Sequence, residues 1–255
     1  MILAIDAGNT HIVLGMIENG EIRHIARIHT EARETGTEYA LKLRQIIDFH
    51  GVDPTAFEGA IIGSVVPPVT EALRFAAERV TGCRPMVVGP GVKTGMNIRI
   101  DDPTTVAADL IVGAVAANTH YGAPCIVIDM GTATTMIVVD RDGCFRGGAI
   151  APGVKLGYRA LSAETSLLPE IAIQAPKKAV SANTIDAMRA GAVYGSAAYI
   201  DGMVERMESE LGYPCTVVAT GSIARHIVPF CRRKDIVVDG ELLLKGLWAI
   251  YKKNK

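Results

Sequence analysis

The chain has 255 residues, of which 49% are hydrophobic and 21% charged, and its formal net charge is −1 at pH 7. This balance is typical of a globular protein with room for one large domain or two small ones. The near-neutral charge gives no reason to expect nucleic acid or an anionic membrane surface as a partner.

The spacing of the cysteines and histidines indicates the redox compartment of the protein and whether it can bind zinc. The five cysteines form no Cys-x-x-Cys pair and are odd in number, and the six histidines show no metal-ligand spacing. We therefore expect reduced thiols, without a disulfide frame or a zinc site. The apolar start MILAI meets Asp6 at once, which argues against a signal peptide, and no apolar run reaches the roughly 20 residues of a membrane span. A soluble, cytoplasmic protein is predicted.

In the first half of the chain, apolar runs of strand length alternate with helical patterns. Asn19-Gly20 is a strong hairpin signal, and Pro67-Pro68 ends a buried apolar run. The patterns predict strands at 2–6, 12–18, 21–28, 59–66 and 86–88, and helices at 37–50, 69–81 and 103–119.

The second half repeats this order. The patterns predict strands at 125–129, 134–140, 144–150 and 215–219, and helices at 155–165, 184–211, from about 222, and 240–252. Each half is thus three antiparallel strands followed by alternating helices and strands. The sequence predicts an α/β fold of two similar lobes, 1–118 and 119–255, each a mixed sheet with helices, facing across a cleft and joined by helix 103–119.

One turn occurs in both halves between two predicted strands: Asp6-Ala7-Gly8-Asn9-Thr10 and Asp129-Met130-Gly131-Thr132-Ala133. Glycine lets backbone amides approach an anion, and an aspartate can hold Mg²⁺ through water or orient a nucleophile. A pair of ordinary hairpin turns with Asx caps is the structural alternative. No Gly-x-x-x-x-Gly-Lys-Ser/Thr loop is present, and no Gly-x-Gly-x-x-Gly opens a helix after a strand. The repeat favours a polyphosphate site.

The paired turns resemble those of the actin, hexokinase and Hsp70 superfamily. Collinear motifs at 6–13, 64–68, 88–98, 129–135, 147–153 and 183–184 are similar to those of the type III pantothenate kinases, nearly end to end. The resemblance implies two ribonuclease H-like lobes and a homodimer. It also implies ATP-dependent phosphorylation of the primary hydroxyl of pantothenate, the first step of coenzyme A biosynthesis, with Mg²⁺ and a monovalent cation (K⁺ or NH₄⁺).

The resemblance assigns roles to individual residues. Nucleotide binding falls to Asp6, Ala7, Gly8, Asn9, Thr10, His11, Ile12, Val13, Gly131 and Thr132. Asp129 matches the position that binds the monovalent cation, although it could instead mirror Asp6 in holding magnesium. Thr184 matches a pantothenate contact, and it or Asn183 is also suited to cap a helix.

Asp109 is the only charged residue between Pro103 and Thr119, in a stretch that reads as a buried helix with Asp102 as its N-cap. Burying a carboxylate is costly unless it is satisfied, and desolvation raises its pKa toward that of a useful base. Structural and catalytic interpretations are both open on these grounds. The resemblance favours catalysis, since Asp109 matches the general base of the family.

The acceptor side departs from the family pattern Gly-x-Asp-Arg, because this chain reads Ala107-Ala108-Asp109-Leu110. The missing arginine implies a lost contact to the carboxylate of pantothenate at Leu110, with Arg99 or Arg159 as possible replacements. Three hypotheses follow: a working pantothenate kinase, a kinase of another small alcohol, and a non-catalytic paralogue with a regulatory role.

Two further segments carry weaker signals. Thr37-Glu38-Tyr39 keeps only the glutamate and the aromatic ring of a family motif, and Thr220-Gly221-Ser222 replaces the commoner Thr-Gly-Gly. Glycines and alanines in helix 184–211 permit close helix approach, either at a subunit interface or within the lobe.

Overall fold

The computed structural model describes residues 1–255, which form two compact units. The first unit comprises Met1–Met96, Asp101–Thr119 and Glu241–Lys255, and the second comprises Asn97–Ile100 and His120–Gly240. The main change from the first unit to the second thus falls after Thr119, one residue beyond the predicted boundary after residue 118. Two segments do not follow a single boundary. Residues 97–100 belong to the second unit, and residues 241–255 belong to the first.

The first unit contains a five-stranded mixed sheet. Its strands are β1 (Ile2–Ala7), β2 (His11–Glu18), β3 (Glu21–His29), β4 (Gly59–Ser64) and β5 (Met86–Val87), in the spatial order β3-β2-β1-β4-β5. The first three strands form an antiparallel meander, and β4 runs parallel to β1 and to β5. Asn19 and Gly20 both have positive φ, as the tight turn between β2 and β3 requires.

Helices cover both faces of this first sheet. They are α1 (Gly36–Phe49), α2 (Pro67–Thr81), α3 (Ala108–Tyr121) and the C-terminal helix α8 (Leu242–Lys253). The amphipathic helices α1 and α2 pack together against one face through a core that includes Tyr39, Leu43 and Leu73. On the other face α8 packs on β1 and β4, and Gly246 of α8 lets Val112 of α3 approach its backbone closely.

The second unit contains a six-stranded sheet in the order β11-β10-β7-β8-β9-β6. Its strands are β6 (Asn97–Ile98), β7 (Cys125–Met130), β8 (Ala133–Val139), β9 (Cys144–Pro152), β10 (Thr216–Thr220) and β11 (Val237–Val238). Its helices are α4 (Val154–Ala163), α5 (Thr184–Ala190), α6 (Ser196–Leu211) and α7 (Ala224–Ile227). The side chains of Ile200 and Val204 on α6 are buried in the core that α6 shares with β7 and β10.

The two sheets confirm the predicted internal repeat. The order β3-β2-β1-β4-β5 corresponds strand for strand to β9-β8-β7-β10-β11, and β6 adds one edge strand to the second sheet. In the first sheet β1 pairs antiparallel with β2 and parallel with β4. In the second sheet β7 pairs antiparallel with β8 and parallel with β10 in the same way. The predicted fold class, an α/β chain with two similar mixed sheets, is therefore confirmed.

Several predicted elements differ in detail. The strands β6 and β11 were not predicted, since two residues give no periodicity. Asp102 caps a 3₁₀ turn at Pro103–Thr105, and α3 begins only at Ala108. Helix 184–211 contains one π-helical turn at Gly191–Gly195. None of the helices has the length and hydrophobicity needed to cross a bilayer, and all five cysteines are unpaired.

Candidate active site

The first repeated turn, Gly8-Asn9-Thr10, connects β1 to β2 and is held by a neighbouring segment. The Gly8 N–H donates to the His11 carbonyl at 3.0 Å, which closes the turn. Thr30, just after β3, donates its hydroxyl to the Gly8 carbonyl at 2.6 Å and its N–H to the Thr10 carbonyl at 3.1 Å. The turn therefore has a fixed shape. Thr30 could not be found by sequence reasoning, because its contact with Gly8 spans 22 residues.

Asp6 lies near the carboxyl end of β1 and is half-buried. Its register partner on the parallel strand β4 is Gly63, and paired residues point to the same face of a sheet. A β-carbon built on Gly63 would lie 3.1 Å from Leu247 of α8 and 3.6 Å from Val112 of α3. The Asp6 side chain is thus directed to the face that α3 and α8 cover.

Asp109 lies in the first turn of α3, one helical turn before Val112, and is half-buried. Positions three residues apart share one side of a helix, so Asp109 and Val112 share that side of α3. Burial raises the pKa of the Asp109 carboxyl above its usual range. The backbone N–H groups of Leu110, which donates at 2.8 Å, and of Asp109 itself act in the opposite direction.

These contacts place Asp109 on a helix that packs over the strand pair carrying Asp6. Asp6 precedes a turn that can present backbone amides to a phosphate, and Asp109 is a desolvated carboxyl able to accept a proton. The arrangement suits transfer of a phosphoryl group to a hydroxyl, which needs positioning and one base.

The predicted acceptor residues Ala107, Ala108 and Leu110 surround Asp109 in the sequence and are half-buried. The Leu110 side chain cannot form a hydrogen bond with a substrate. The two arginines considered as replacements, Arg99 and Arg159, lie in the second unit. Arg99 pairs with Asp142 at 3.6 Å. Arg159 is exposed on α4.

In the second unit the repeated turn is shorter, with Gly131 and Thr132 between β7 and β8. The Gly131 N–H donates to the Ala133 carbonyl, and the Gly153 N–H donates to the Thr132 carbonyl, both at 3.0 Å. A β-carbon on Gly153 would overlap the carbonyl oxygens of Gly131 and Thr132. The end of β9 therefore braces this turn, much as Thr30 braces the first.

Asp129 is the penultimate residue of β7, and its register partner on the parallel strand β10 is Thr220. The next residue, Gly221, has φ +90°, and a β-carbon there would lie 2.7 Å from Asp129 Oδ1 and 2.6 Å from the Met130 carbonyl oxygen. Only glycine fits this position, which explains one residue of the Thr220-Gly221-Ser222 segment. By contrast, a β-carbon on Gly131 would meet its nearest atoms at 3.7 Å, so this side of the turn is open.

These residues fit a magnesium-bound polyphosphate. The turn glycines expose backbone at the ends of β1 and β7, where anion sites are commonly built. No group of three or more His, Cys, Asp or Glu side chains could hold a metal ion alone. Mg²⁺ commonly binds through one or two carboxylates, water and substrate phosphates, so a single aspartate such as Asp6 is sufficient as the protein ligand.

Other predicted residues have structural roles here. Asn183 is the cap of α5, since it accepts from the Asp186 N–H at 2.9 Å, and Thr184 is the exposed first residue of that helix. Glu38 completes a capping box with Thr35 at the start of α1. The hydroxyl of buried Tyr39 bonds to the Glu31 backbone at 3.0 Å.

Comparison with known proteins decides the family. The family model for type III pantothenate kinase matches residues 2–206. A type III pantothenate kinase of Halalkalibacterium halodurans is 43% identical over 254 residues, covering 100% of both chains. The chain belongs to the type III pantothenate kinase family. Both repeated turns, Asp109 and Thr184 lie within the part that the type III pantothenate kinase model matches.

Solved structures that resemble this type III pantothenate kinase family member agree on the fold. Component A of the (R)-2-hydroxyglutaryl-CoA dehydratase of Acidaminococcus fermentans has a TM-score of 0.59 at 14% identity, covering 99% of this chain and 98% of that one. The ROK hexokinase of Thermus thermophilus has a TM-score of 0.53 at 14% identity, covering 100% and 99%. The chain therefore has the same fold as these two proteins.

Proposed function

We propose that the protein transfers the terminal phosphoryl group of ATP to the primary hydroxyl of pantothenate, giving 4′-phosphopantothenate and ADP. The observation that carries this proposal is Asp109, a desolvated carboxyl with a raised pKa on a helix that packs over the strands of Asp6. Family membership supplies the substrate class.

In the proposed reaction Asp109 accepts the proton of the acceptor hydroxyl. The hydroxyl oxygen forms a bond to the terminal phosphorus, and the bond from that phosphorus to the bridging oxygen breaks, so ADP leaves with the electron pair. The turn residues assigned to the nucleotide are Gly8, Asn9 and Thr10 in the first unit, and Gly131 and Thr132 in the second. Mg²⁺ held by the phosphates and Asp6 would neutralise charge on the transferring group.

The acceptor side is where we expect this chain to be weak. Leu110 stands where the family pattern has arginine, and loss of a hydrogen bond to a charged group costs about 1.5–3 kcal/mol, or about 10- to 150-fold in affinity. We infer that pantothenate is bound with a high KM. A kinase for an alcohol lacking the carboxylate is the second candidate, favoured by the apolar side chain at Leu110.

Further features belong to the same proposal. Asp129, beside Gly131 and Gly221, is the proposed monovalent cation ligand for K⁺ or NH₄⁺. A homodimer is supported by the exposed apolar side chains Ile150, Leu156 and Leu167 of the second unit. Five unpaired cysteines support a cytoplasmic location, and we propose no nucleic-acid or membrane partner.

The decisive experiment is a coupled ADP-release assay with purified protein, ATP, Mg²⁺ and K⁺. Pantothenate is compared with pantetheine, which has the hydroxyl but no carboxylate. Turnover of pantothenate with a high KM supports the proposal, and turnover of pantetheine alone favours the second candidate. Absence of turnover with both, in protein that still binds ATP, refutes the kinase assignment and supports a regulatory paralogue.

A further inference from the structure

A cavity of about 340 Å³ lies in the first unit and takes no part in the proposed reaction. Its walls come from the end of α3, the end of α8 and the loop that precedes β6. The polar side chains that line it are Thr94, Asn118, Thr119, Lys252 and Lys253. We call it the lysine cavity.

The lysine cavity is positively charged. No acidic residue lines it, and neither Lys252 nor Lys253 forms a salt bridge. The carboxyl ends of α3 and α8 lie nearby and contribute about half a negative charge each. Two ammonium groups outweigh them, which leaves a net charge of about +1.

Neutral donors supplement the two ammonium groups. The Thr94 oxygen accepts the Met96 N–H at 3.3 Å, so its own O–H is left to donate toward the cavity. The Asn118 side chain adds an amide donor. The Thr119 hydroxyl is already used, since it donates to the Val115 carbonyl at 2.7 Å. A charged lining with added neutral donors is the chemistry that binds phosphate and carboxylate groups.

Specific hydrogen bonds and one glycine hold the walls of the lysine cavity in place. The Asn254 amide donates to the carbonyls of Lys93 and Ile250, both at 2.8 Å, and its oxygen accepts the Lys93 N–H at 3.0 Å. This clamp fixes the end of α8 to the loop. Gly95 has φ +74°, and a β-carbon there would overlap the Lys253 ammonium, so only glycine lets the lysine lie over the loop.

We propose that the lysine cavity binds a small phosphorylated metabolite, a phosphate monoester. Its volume corresponds to about ten waters, at about 30 Å³ each, which exceeds one phosphate group and leaves room for a short organic part. The bound phosphate bridges Lys252 and Lys253 to Thr94. This binding gives a role to the motif at 88–98, to which the proposed reaction assigns none.

The test is calorimetric titration of the full chain with glycerol 3-phosphate, with glycerol as the neutral matched probe. The variant Lys252→Gln/Lys253→Gln removes the two ammonium groups. Lys177→Gln/Lys178→Gln, in an exposed segment of the second unit, removes the same charge elsewhere. Circular dichroism verifies that both variants are folded.

We expect glycerol 3-phosphate to bind, glycerol not to bind, and the affinity to fall at least about tenfold in Lys252→Gln/Lys253→Gln alone, since hydrogen bonds to charged groups are lost. Equal affinity in the cavity variant and the wild type would place phosphate binding elsewhere and overturn the proposal. Undetectable binding to the wild type overturns it as well. The readout is binding, so its outcome is independent of whether pantothenate is phosphorylated.

Discussion

The two units share a strand order but differ in what accompanies the aspartate at the end of the first strand. Asp6 pairs with Gly63, and its three-residue turn is braced by Thr30 through both the side-chain hydroxyl and the backbone N–H. Asp129 pairs with Thr220, and its two-residue turn is braced by backbone, the N–H of Gly153. A duplicated backbone thus supports two different local environments for the same carboxylate.

The helices that follow the two sheets in the sequence differ even more. The first turn of α3 contains Asp109, whereas the first turn of α8 is made of Leu242, Leu243 and Leu244. Both helices pack in the first unit, where α8 covers β1 and β4. The sheet and its turn are therefore the conserved part of the repeat, and the candidate base belongs to one copy only.

Neutralising Asp109 should have the largest effect on activity. Removal of a general base costs about 10²- to 10⁴-fold in rate, so Asp109→Asn should lower kcat by that factor. Nucleotide affinity should stay the same, because the nucleotide is assigned to the turns. ADP release and ATP titration measure the two quantities. Asp101→Asn, an exposed carboxylate near the same helix, is the matched control, and equal losses in both variants would remove Asp109 from the mechanism.

Restoring the family arginine tests whether the first unit has lost one acceptor contact. Leu110→Arg should lower the KM for pantothenate by about 10- to 150-fold with little change in kcat, since it adds one hydrogen bond to a charged group. Leu110→Gln, polar but uncharged, should give a smaller decrease. Steady-state kinetics with varied pantothenate measures both. An unchanged KM in Leu110→Arg would mean that the contact is unnecessary or already replaced.

Gly8, near Asp6, and Gly221, near Asp129, should differ in how well they tolerate substitution by alanine. Gly221→Ala should destabilise the protein by about 1–3 kcal/mol, because a β-carbon meets Met130 and Asp129 at a positive φ. Gly8→Ala should be nearly neutral, since its β-carbon would lie 3.4 Å from the nearest atom, the His11 carbonyl oxygen. Urea denaturation compares the two variants. Equal destabilisation would mean that both glycines are required by the fold.

Sequence patterns were sufficient for the framework, because apolar periodicity and the Asn19-Gly20 turn specify strands that pair locally. They could not predict β6, whose two residues form a strand only by pairing with Cys144 and Phe145 far along the chain. The start of α3 was also misplaced, since Asp102 and Pro103 form a helix start whether a 3₁₀ turn or an α-helix follows.

The candidate site was predictable where its residues repeat or stand out by charge. Asp6, Asp129 and Asp109 all met that condition. The support of the turns by Thr30 and Gly153 was not predictable, because each contact joins segments distant in sequence. Residues that shape a site from outside its motif leave no local signal.

The smallest expected effect concerns stability, and it compares Asp109, whose pKa is raised, with Asp102, whose pKa is lowered. Burial raises the folded-state pKa of Asp109, so its contribution to stability is greatest below the unfolded-state pKa and is lost as pH rises through the folded-state value. Asp109→Asn should therefore raise Tm at pH 7.5, while the Leu110 hydrogen bond is kept, and the gain should shrink toward pH 4. Hydrogen bonds from Thr104 lower the pKa of Asp102, so Asp102→Asn should show no gain at pH 7.5. Thermal melts across this range measure both, and a pH-independent loss of stability in Asp109→Asn would show that its carboxyl holds the fold together and is not a strained base.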